Sequence, residues 1–256
     1  MPVQIHETLD NKALYVKFED VVSGNRTAHK YSMKTEKQLD YGEKVDGVTS
    51  IIKNVDDASG LMDWAIYEAE RSGIPDQARR LTNQSIESGL QLHAAIEDYI
   101  KHGNVDRTNK TFMNWYNYID ETVWKASEVY VFDQTYLYGG TIDALSWEPS
   151  TEDGVPGHYV IHDFKTKNTK SYNNYQVYQK DRCQLAAYAR ALRSMNSFYY
   201  PIMEGRLHYI MRDSDKIEIQ TIDLGYYEDM FIHSWKLYDF VKRDKYKKQK
   251  QFRLGG

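Results

Sequence analysis

"VIHDFKTK", residues 160–167, ends an apolar run on an acid, a phenylalanine and a base. In an extended strand successive side chains point to opposite faces, so Asp163 and Lys165 share one face while His162 and Phe164 share the other. A carboxylate and an ammonium therefore stand side by side at a strand end. For a lone D-x-K a solvated ion pair is the plain explanation. What separates that from a site is the company the motif keeps.

Upstream, "SEVYVFDQTYLYGGTIDALSWE" (127–148) reads as two β-rich runs flanking a turn near Tyr138-Gly139-Gly140, and "PSTEDGVPG" (149–157) is the loop into the strand of Asp163. Connections this short make the three strands antiparallel neighbours. Asp143 lies late in the strand before that of Asp163, so a hairpin brings the two carboxylates to one end of the sheet. Left unpaired they repel and one pKa rises, unless a divalent cation sits between them. On that basis removal of either acid is expected to stabilise the metal-free protein.

Before the strands, "IPDQARRLTNQSIESGLQLHAAIEDYIKHG" (74–103) has Pro75 near the first helical position, Asp76 in the first turn and apolar residues at helical spacing. Ile86, Leu90, His93, Ala94 and Glu97 fall on one stripe, so a histidine and a glutamate point where the apolar face points. A core histidine is the plain account of His93. A second helix is expected around 110–126. After the strands, "YNNYQVYQKDRCQLAAYARALRS" (172–194) is an amphipathic helix with Gln184 and Tyr188 one turn apart, and "GRLHYIMRDSDKIEIQTID" (205–223) is a strand, a turn and a strand. A closing helix buries Phe231, Trp235, Tyr238 and Val241 and runs into a basic tail. The first 60 residues read as short strands and turns, followed by a helix in "GLMDWAIYEAERSG" stopped by Gly73. The order is helix, three strands, helix, strand: an α/β protein with a mixed central sheet flanked by helices. One domain is expected over 1–256, with an elaboration at 1–74, a core at 75–222 and the helix and tail at 223–256.

Of the 256 residues 41% are hydrophobic and 27% charged, enough for one large core. The single cysteine, Cys183, excludes a disulfide framework and a thiolate zinc site and fits a reducing compartment. The start has no apolar signal region and no apolar run approaches the roughly 20 residues of a membrane span, so a cytoplasmic protein is expected. Formal charge is −4, yet "KRDKYKKQKQFR" (242–253) is strongly basic, and Lys165, Lys167, Lys170, Lys180 and Arg182 gather around the opening motif. Such runs are usually a solvated face. They are also the footprint of a nucleic-acid binder, and with Tyr172 and Tyr175 interleaved they suit a single strand, whose bases stack on aromatic rings. Lys167, Lys170, Tyr172, Tyr175, Lys180 and Arg182 are the candidate DNA contacts.

With Asp143 in "GGTID" and Asp163-Phe164-Lys165 on the next strand, the sequence resembles the PD-(D/E)XK nucleases, and within them the RecB-like branch that includes the mitochondrial genome maintenance exonuclease group and related phage exonucleases. Gly89, His93 and Glu97 match that branch's stretch on the preceding helix. Gln184 and Tyr188 match its Q-x-x-x-Y on the following one. The resemblance covers about 84–192; Ile142 replaces the proline of the family name. It implies a restriction-endonuclease-like core and a Mg²⁺- or Mn²⁺-dependent deoxyribonuclease, an exonuclease on single-stranded DNA in replication, repair or recombination. Phage or host proteins of those processes are the implied partners, in the bacterial cytoplasm for a phage protein. His93, Asp143 and Asp163 become metal ligands, with the Phe164 carbonyl as a fourth. Asp143, Asp163 and Lys165 form the catalytic set, Lys165 holding the attacking water. Gln184 and Tyr188 line the site, Glu97 orients His93 or caps a polar network, and Glu128 matches an acid often found on the preceding strand. The alternatives are an endonuclease of the same fold and a non-catalytic nucleic-acid-binding protein.

Overall fold

The computed structural model describes residues 3–7, 13–23, 26–35, 43–55, 61–119, 122–152, 154–169, 179–195 and 202–254. Four strands open the chain, β1 (Val3–Glu7), β2 (Ala13–Ser23), β3 (Arg26–Thr35) and β4 (Glu43–Gly47), each antiparallel to the one before. Alternation builds their core: Val16 and Phe18 on β2 face Met33 and Tyr31 on β3, and all four are buried with Val45 and Phe132. A turn of helix, α1 (Val48–Ile51), continues as a 3-10 turn to Val55; α2 (Leu61–Ser72) follows, with Gly73 in the left-handed conformation behind it.

The long helix α3 runs Gln77–His102 and ends on left-handed Gly103. Its N-cap is Asp76, whose carboxylate pairs with Arg79 and Arg80 rather than with a backbone N–H. The buried face also differs from the expected stripe. Leu92, Ala95 and Ile96 are inside, while Ile86 and Leu90 are 39% and 45% exposed. Helix α4 (Lys110–Tyr118) is capped by Asn109, which accepts the Phe112 N–H, and buries Phe112 and Trp115. It stops well before residue 126, because from Val123 burial alternates with period two and the chain is a strand.

That strand, β5 (Val123–Asp133), pairs antiparallel with β6 (Tyr138–Glu148), and β6 with β7 (His158–Lys167). The turn lies at 134–137, ahead of the two glycines. Asp133, fully buried, accepts the N–H groups of Thr135 and Tyr136 and its other oxygen accepts from Arg190, so the acid sets the turn. Helix α5 (Gln179–Ser194) carries the chain over to β8 (Ile202–Met211), parallel to β7, and β9 (Ile217–Ile222) returns antiparallel. Helix α6 (Leu224–Leu254) closes the chain; Phe231 is buried, but Val241 is 55% exposed, off the expected stripe.

Nine strands among the described residues form one mixed sheet, which β4 joins through a short parallel pairing of Asp46 and Gly47 with Tyr138 and Gly139. Helices α5 and α6 cover one face with a core that includes Ile142, Ile161, Leu185, Leu192 and Phe231. Helices α3 and α4 cover the other, with Phe164 and Ile210 beneath Leu92 and Trp115. The α/β class and the flanked mixed sheet are as the sequence led one to expect. Among the described residues no helix is long and apolar enough to cross a membrane.

The two glycines have another use. A Cβ on Gly139 would lie 2.9 Å from Cγ of Tyr31, and one on Gly140 would lie 2.2 Å from Cε1 of Tyr188. Neighbouring strand positions face opposite ways, so one ring leans on each side of β6. Gly140→Ala is expected to cost about 3 kcal/mol, since Tyr188 is buried and cannot withdraw. Urea unfolding measures it, and a change below about 0.5 kcal/mol would contradict the packing.

Candidate active site

The site begins with a parting of strands. The β6–β7 ladder runs from Glu148↔His158 to Ala144↔His162 and stops there. Beyond it β7 stays with β8 as far as Lys167↔Met211, and β6 stays with β5. Asp143 and Asp163 are the next residues on either side of this fork. Strands that separate leave backbone groups without a ladder partner, and side chains take them up. Asp143 Oδ2 accepts the N–H of Phe164 at 2.8 Å, and His93 Nε2 lies 2.8 Å from the Phe164 carbonyl oxygen.

A carbonyl has no proton to give, so His93 Nε2 carries the hydrogen. In the neutral ring Nδ1 then presents its lone pair, 3.7 Å from Asp143 Oδ2. A histidine that donates one N–H to a carbonyl and offers the other nitrogen beside a carboxylate has the usual arrangement of a metal-ligating imidazole. Phe164 O, expected as a fourth ligand, is here the group that orients the ring. Glu97 does not do so, for it pairs with Lys101 on the outer side of α3. Gly89 and His93, a helical turn apart, pass close to β7: a Cβ on Gly89 would stand 3.6 Å from Thr166 Oγ1.

Asp163 and Lys165 share a face, as their two-residue spacing requires. Lys165 Nζ lies 2.7 Å from Asp163 Oδ1 and 2.6 Å from Oδ2, with hydrogen-bond geometry only to Oδ1. Oδ2 thus faces the ammonium without a hydrogen bond directed at it. Asp163 is 1% exposed, and burial, reinforced by Asp143 and Asp181 against the opposing Lys165, pushes its pKa up to about 7. Burial weakens the Lys165 charge in turn, but Asp163, Asp181 and Asp143 outweigh it and hold the ammonium above its ordinary range. The proton of the pair therefore belongs to the lysine. A lysine with this environment is a fixed cation, and three carboxylates around it are more negative charge than one lysine offsets.

Asp181 carries no site signal in the sequence, where it stands between two bases, Lys180 and Arg182. It lies in the first turn of α5, is 3% exposed, and accepts from Tyr209 at 3.3 Å. Its Oδ2 is 4.0 Å from Lys167 Nζ, whose pKa burial lowers. One turn further along α5, Gln184 Nε2 donates to the Tyr188 hydroxyl at 2.8 Å. Burial holds the Tyr188 phenol far above its ordinary range, with Asp163 and Asp143 acting in the same direction. Gln184 and Tyr188 thus form a paired wall behind the acids. Among the expected DNA contacts, Arg182 is committed elsewhere, to Tyr227 Oη at 2.7 Å and Gln220 Oε1 at 3.0 Å. Lys167 and Lys180 are half-buried near the site; Lys170, Tyr172 and Tyr175 lie outside the described residues. In the basic run, Lys242 pairs with Asp46 at 2.5 Å, and the side chains from 244 onward are likewise outside.

The ligand atoms of His93, Glu128 and Asp143 all lie within 4.8 Å of one another. Glu148, His158 and Glu204, at the far end of the ladder, also cluster, but Arg206 bridges the two glutamates and already supplies the cation.

On the other face of β7 from Asp163, Ser146 Oγ, His162 and His208 form a buried chain, with links of 2.8 and 2.9 Å. Burial lowers both histidine pKa values, that of His208 to about 3, so both rings are neutral in the fold. A group whose folded pKa is depressed stabilises above its unfolded value, about 6.5, and loses that stability as pH falls toward 3. Between pH 6.5 and 5 the contribution of His208 is expected to drop by about 1.6 kcal/mol. The stability gap between the wild type and His208→Asn should therefore narrow by that amount over this range. A gap independent of pH would show that His208 titrates normally.

Compared with protein-family models and with curated proteins, the chain matches none.

Proposed function

We propose that this chain is a metal-dependent deoxyribonuclease with a restriction-endonuclease-like core, an exonuclease acting on single-stranded DNA. The observation that carries the proposal is the strand fork, where Asp143 and Asp163 are the next residues on the parting strands, Lys165 pairs with Asp163, and His93 Nδ1 lies 3.7 Å from Asp143 Oδ2. Phosphodiester hydrolysis needs just these elements: carboxylates and an imidazole to hold a cation, and a fixed positive charge near the attacked phosphorus. His93, Asp143 and Asp163 would hold Mg²⁺ or Mn²⁺, and the imidazole favours manganese. When bound, such an ion polarises a phosphoryl oxygen and acidifies a water molecule.

The chain's own groups do the rest. Asp163 sets the place of the Lys165 ammonium, which keeps its proton and so acts as a positioned donor to the attacking water and to charge developing on the phosphate. The Phe164 peptide, gripped at N–H by Asp143 and at C=O by His93, fixes acid and imidazole to one rigid unit. Tyr188 and Gln184 close the α5 side against water.

Incubation of end-labelled single-stranded, double-stranded and closed circular DNA with magnesium, manganese or chelator tests the proposal. Shortening of labelled linear single strands with either metal, none with chelator and an uncut circle are expected. A cut circle would replace the exonuclease with an endonuclease. No cleavage with any metal would leave a nucleic-acid-binding protein without catalysis.

A further inference from the structure

Strand β8 leaves the sheet at a fastened rim. Beyond the Lys167↔Met211 pair, the Arg212 N–H donates to the Lys167 carbonyl at 2.9 Å, and Asp213 Oδ1 accepts both the N–H and the hydroxyl of Thr169 at 2.8 Å. The turn is tied to α4 as well, since Asn114 Nδ2 donates to the Ser214 carbonyl at 3.2 Å. Ile210 faces α3 and α4 while Met211 faces α5, so alternation points Arg212 to the α3 side. There Gly89 passes over Thr166, the strand partner of Ile210, and the Arg212 side chain is half-buried. Its Nε is enclosed and has no hydrogen-bond partner among the described residues. Asp213 offers some opposite charge, but burial still lowers the Arg212 pKa. A guanidinium left in this state weakens the fold rather than supporting it.

We propose that Arg212 binds a phosphodiester of the DNA strand adjacent to the one that is cut, and that this phosphate is the partner its guanidinium lacks in the free protein. The class of ligand follows from the donor: a guanidinium presents a planar fork of N–H groups that matches two oxygens of one phosphate. The place follows from the register. His208 pairs with Phe164, and the four residues from there to Arg212, at about 3.3 Å each, put it about 13 Å along the sheet from the Phe164 peptide. That is too far to touch the phosphate attacked beside Lys165, and near enough for a neighbouring one. Lys167, level with Met211, turns to the α5 side, so the two cations flank the end of the sheet and a nucleic-acid strand crossing that end meets both. Arg182, which the sequence singles out, is committed to Tyr227 and Gln220, whereas the Nε of Arg212 has no such commitment among the described residues.

This inference rests on the deoxyribonuclease reading above, and binding measured without cleavage separates the two. Fluorescence anisotropy of a labelled single-stranded oligonucleotide in chelator, over a range of salt, is followed for the full chain as wild type, Arg212→Met, Arg212→Lys and Lys101→Met. Lys101 is an exposed cation on the outer side of α3, paired with Glu97, so its substitution controls for loss of charge alone. Arg212→Met is expected to weaken binding about tenfold and to lower the slope of log affinity against log salt by about 0.7, the share of one phosphate on a single strand. Arg212→Lys should keep the slope and recover only part of the affinity, because a point charge replaces the fork. Lys101→Met should match wild type in both. Melting without DNA is the second readout. Arg212→Met should melt no lower than wild type, since it removes an enclosed donor that has no partner, whereas loss of an arginine that serves the fold would lower the melting temperature. Wild-type affinity and slope in Arg212→Met, or a clear drop in its melting temperature, would overturn the proposal and leave the nuclease reading standing. If the wild type binds no single-stranded DNA even at low salt, both fall together.

Discussion

Lys165→Ala is expected to lower DNA cleavage by roughly 10²–10⁴-fold while leaving metal binding nearly intact, the range for a positioned electrostatic or proton-transferring group. The expectation follows from where the ammonium is held: half-buried, 2.6–2.7 Å from both oxygens of Asp163, with Asp143 and Asp181 adding to the field that keeps it charged. Truncation also strands a buried carboxylate, and breaking a buried pair costs about 3–5 kcal/mol. Rates are therefore to be compared with saturating manganese, which gives Asp163 a new counter-charge, and well below the melting point. Lys165→Arg should not restore the rate, because a planar fork cannot occupy the place of a compact ammonium between two oxygens. Single-turnover cleavage of a labelled oligonucleotide is the measurement. A near-normal rate for Lys165→Ala would reduce the D-x-K to a structural ion pair and remove the basis of the catalytic proposal.

Asp143→Asn and Asp163→Asn are each expected to reduce cleavage by at least roughly 10³-fold, through loss of cation affinity and of the charge that makes the ion effective. Simple repulsion between the acids had suggested that removing either would stabilise the metal-free protein. The structure reverses that expectation. Asp143 is the acceptor for the Phe164 N–H, and Asp163 is the partner of Lys165, so alanine at either position leaves a group unsatisfied. Asparagine keeps an acceptor at 143, which is why it, and not alanine, separates chemistry from folding. Asp143→Asn should unfold within about 1 kcal/mol of wild type. Retention of wild-type cleavage by either variant, with fold and metal content verified, would sink the site assignment.

Much of this was legible in the chain because it is local. The two-residue period put Asp163 and Lys165 on one face, and left-handed glycines at Gly73 and Gly103 marked helix ends where they occur. What escaped depended on distant partners. The glycine pair looked like a turn, yet the turn belongs to Asp133, whose oxygens are set by backbone N–H groups and by Arg190 from a helix nearly sixty residues on. The buried face of α3 differs from its apolar stripe because Ile86 and Leu90 extend the apolar pattern beyond the sheet that covers Leu92 and Ile96. Asp181 escaped because an acid between two bases looks neutralised, and only the tertiary fold shows that Arg182 turns away to Tyr227. The fork itself has no sequence signal: a ladder that stops is a matter of which strand each partner follows.

The rings of Tyr31 and Tyr188 against Gly139 and Gly140 bear on how the molecule comes apart. One ring arrives from the opening strands and the other from α5, and both close on the strand that carries Asp143. A shortened protein that begins after β4 would expose a glycine pair with one ring gone and an unpaired strand edge at Tyr138 and Gly139. Strand β6 is also bordered by β5, β4 and β7. Hydrogen exchange of the β6 amides paired with β5 is expected to report global unfolding, and domain-trimming strategies have their boundary upstream of β2 rather than at residue 75.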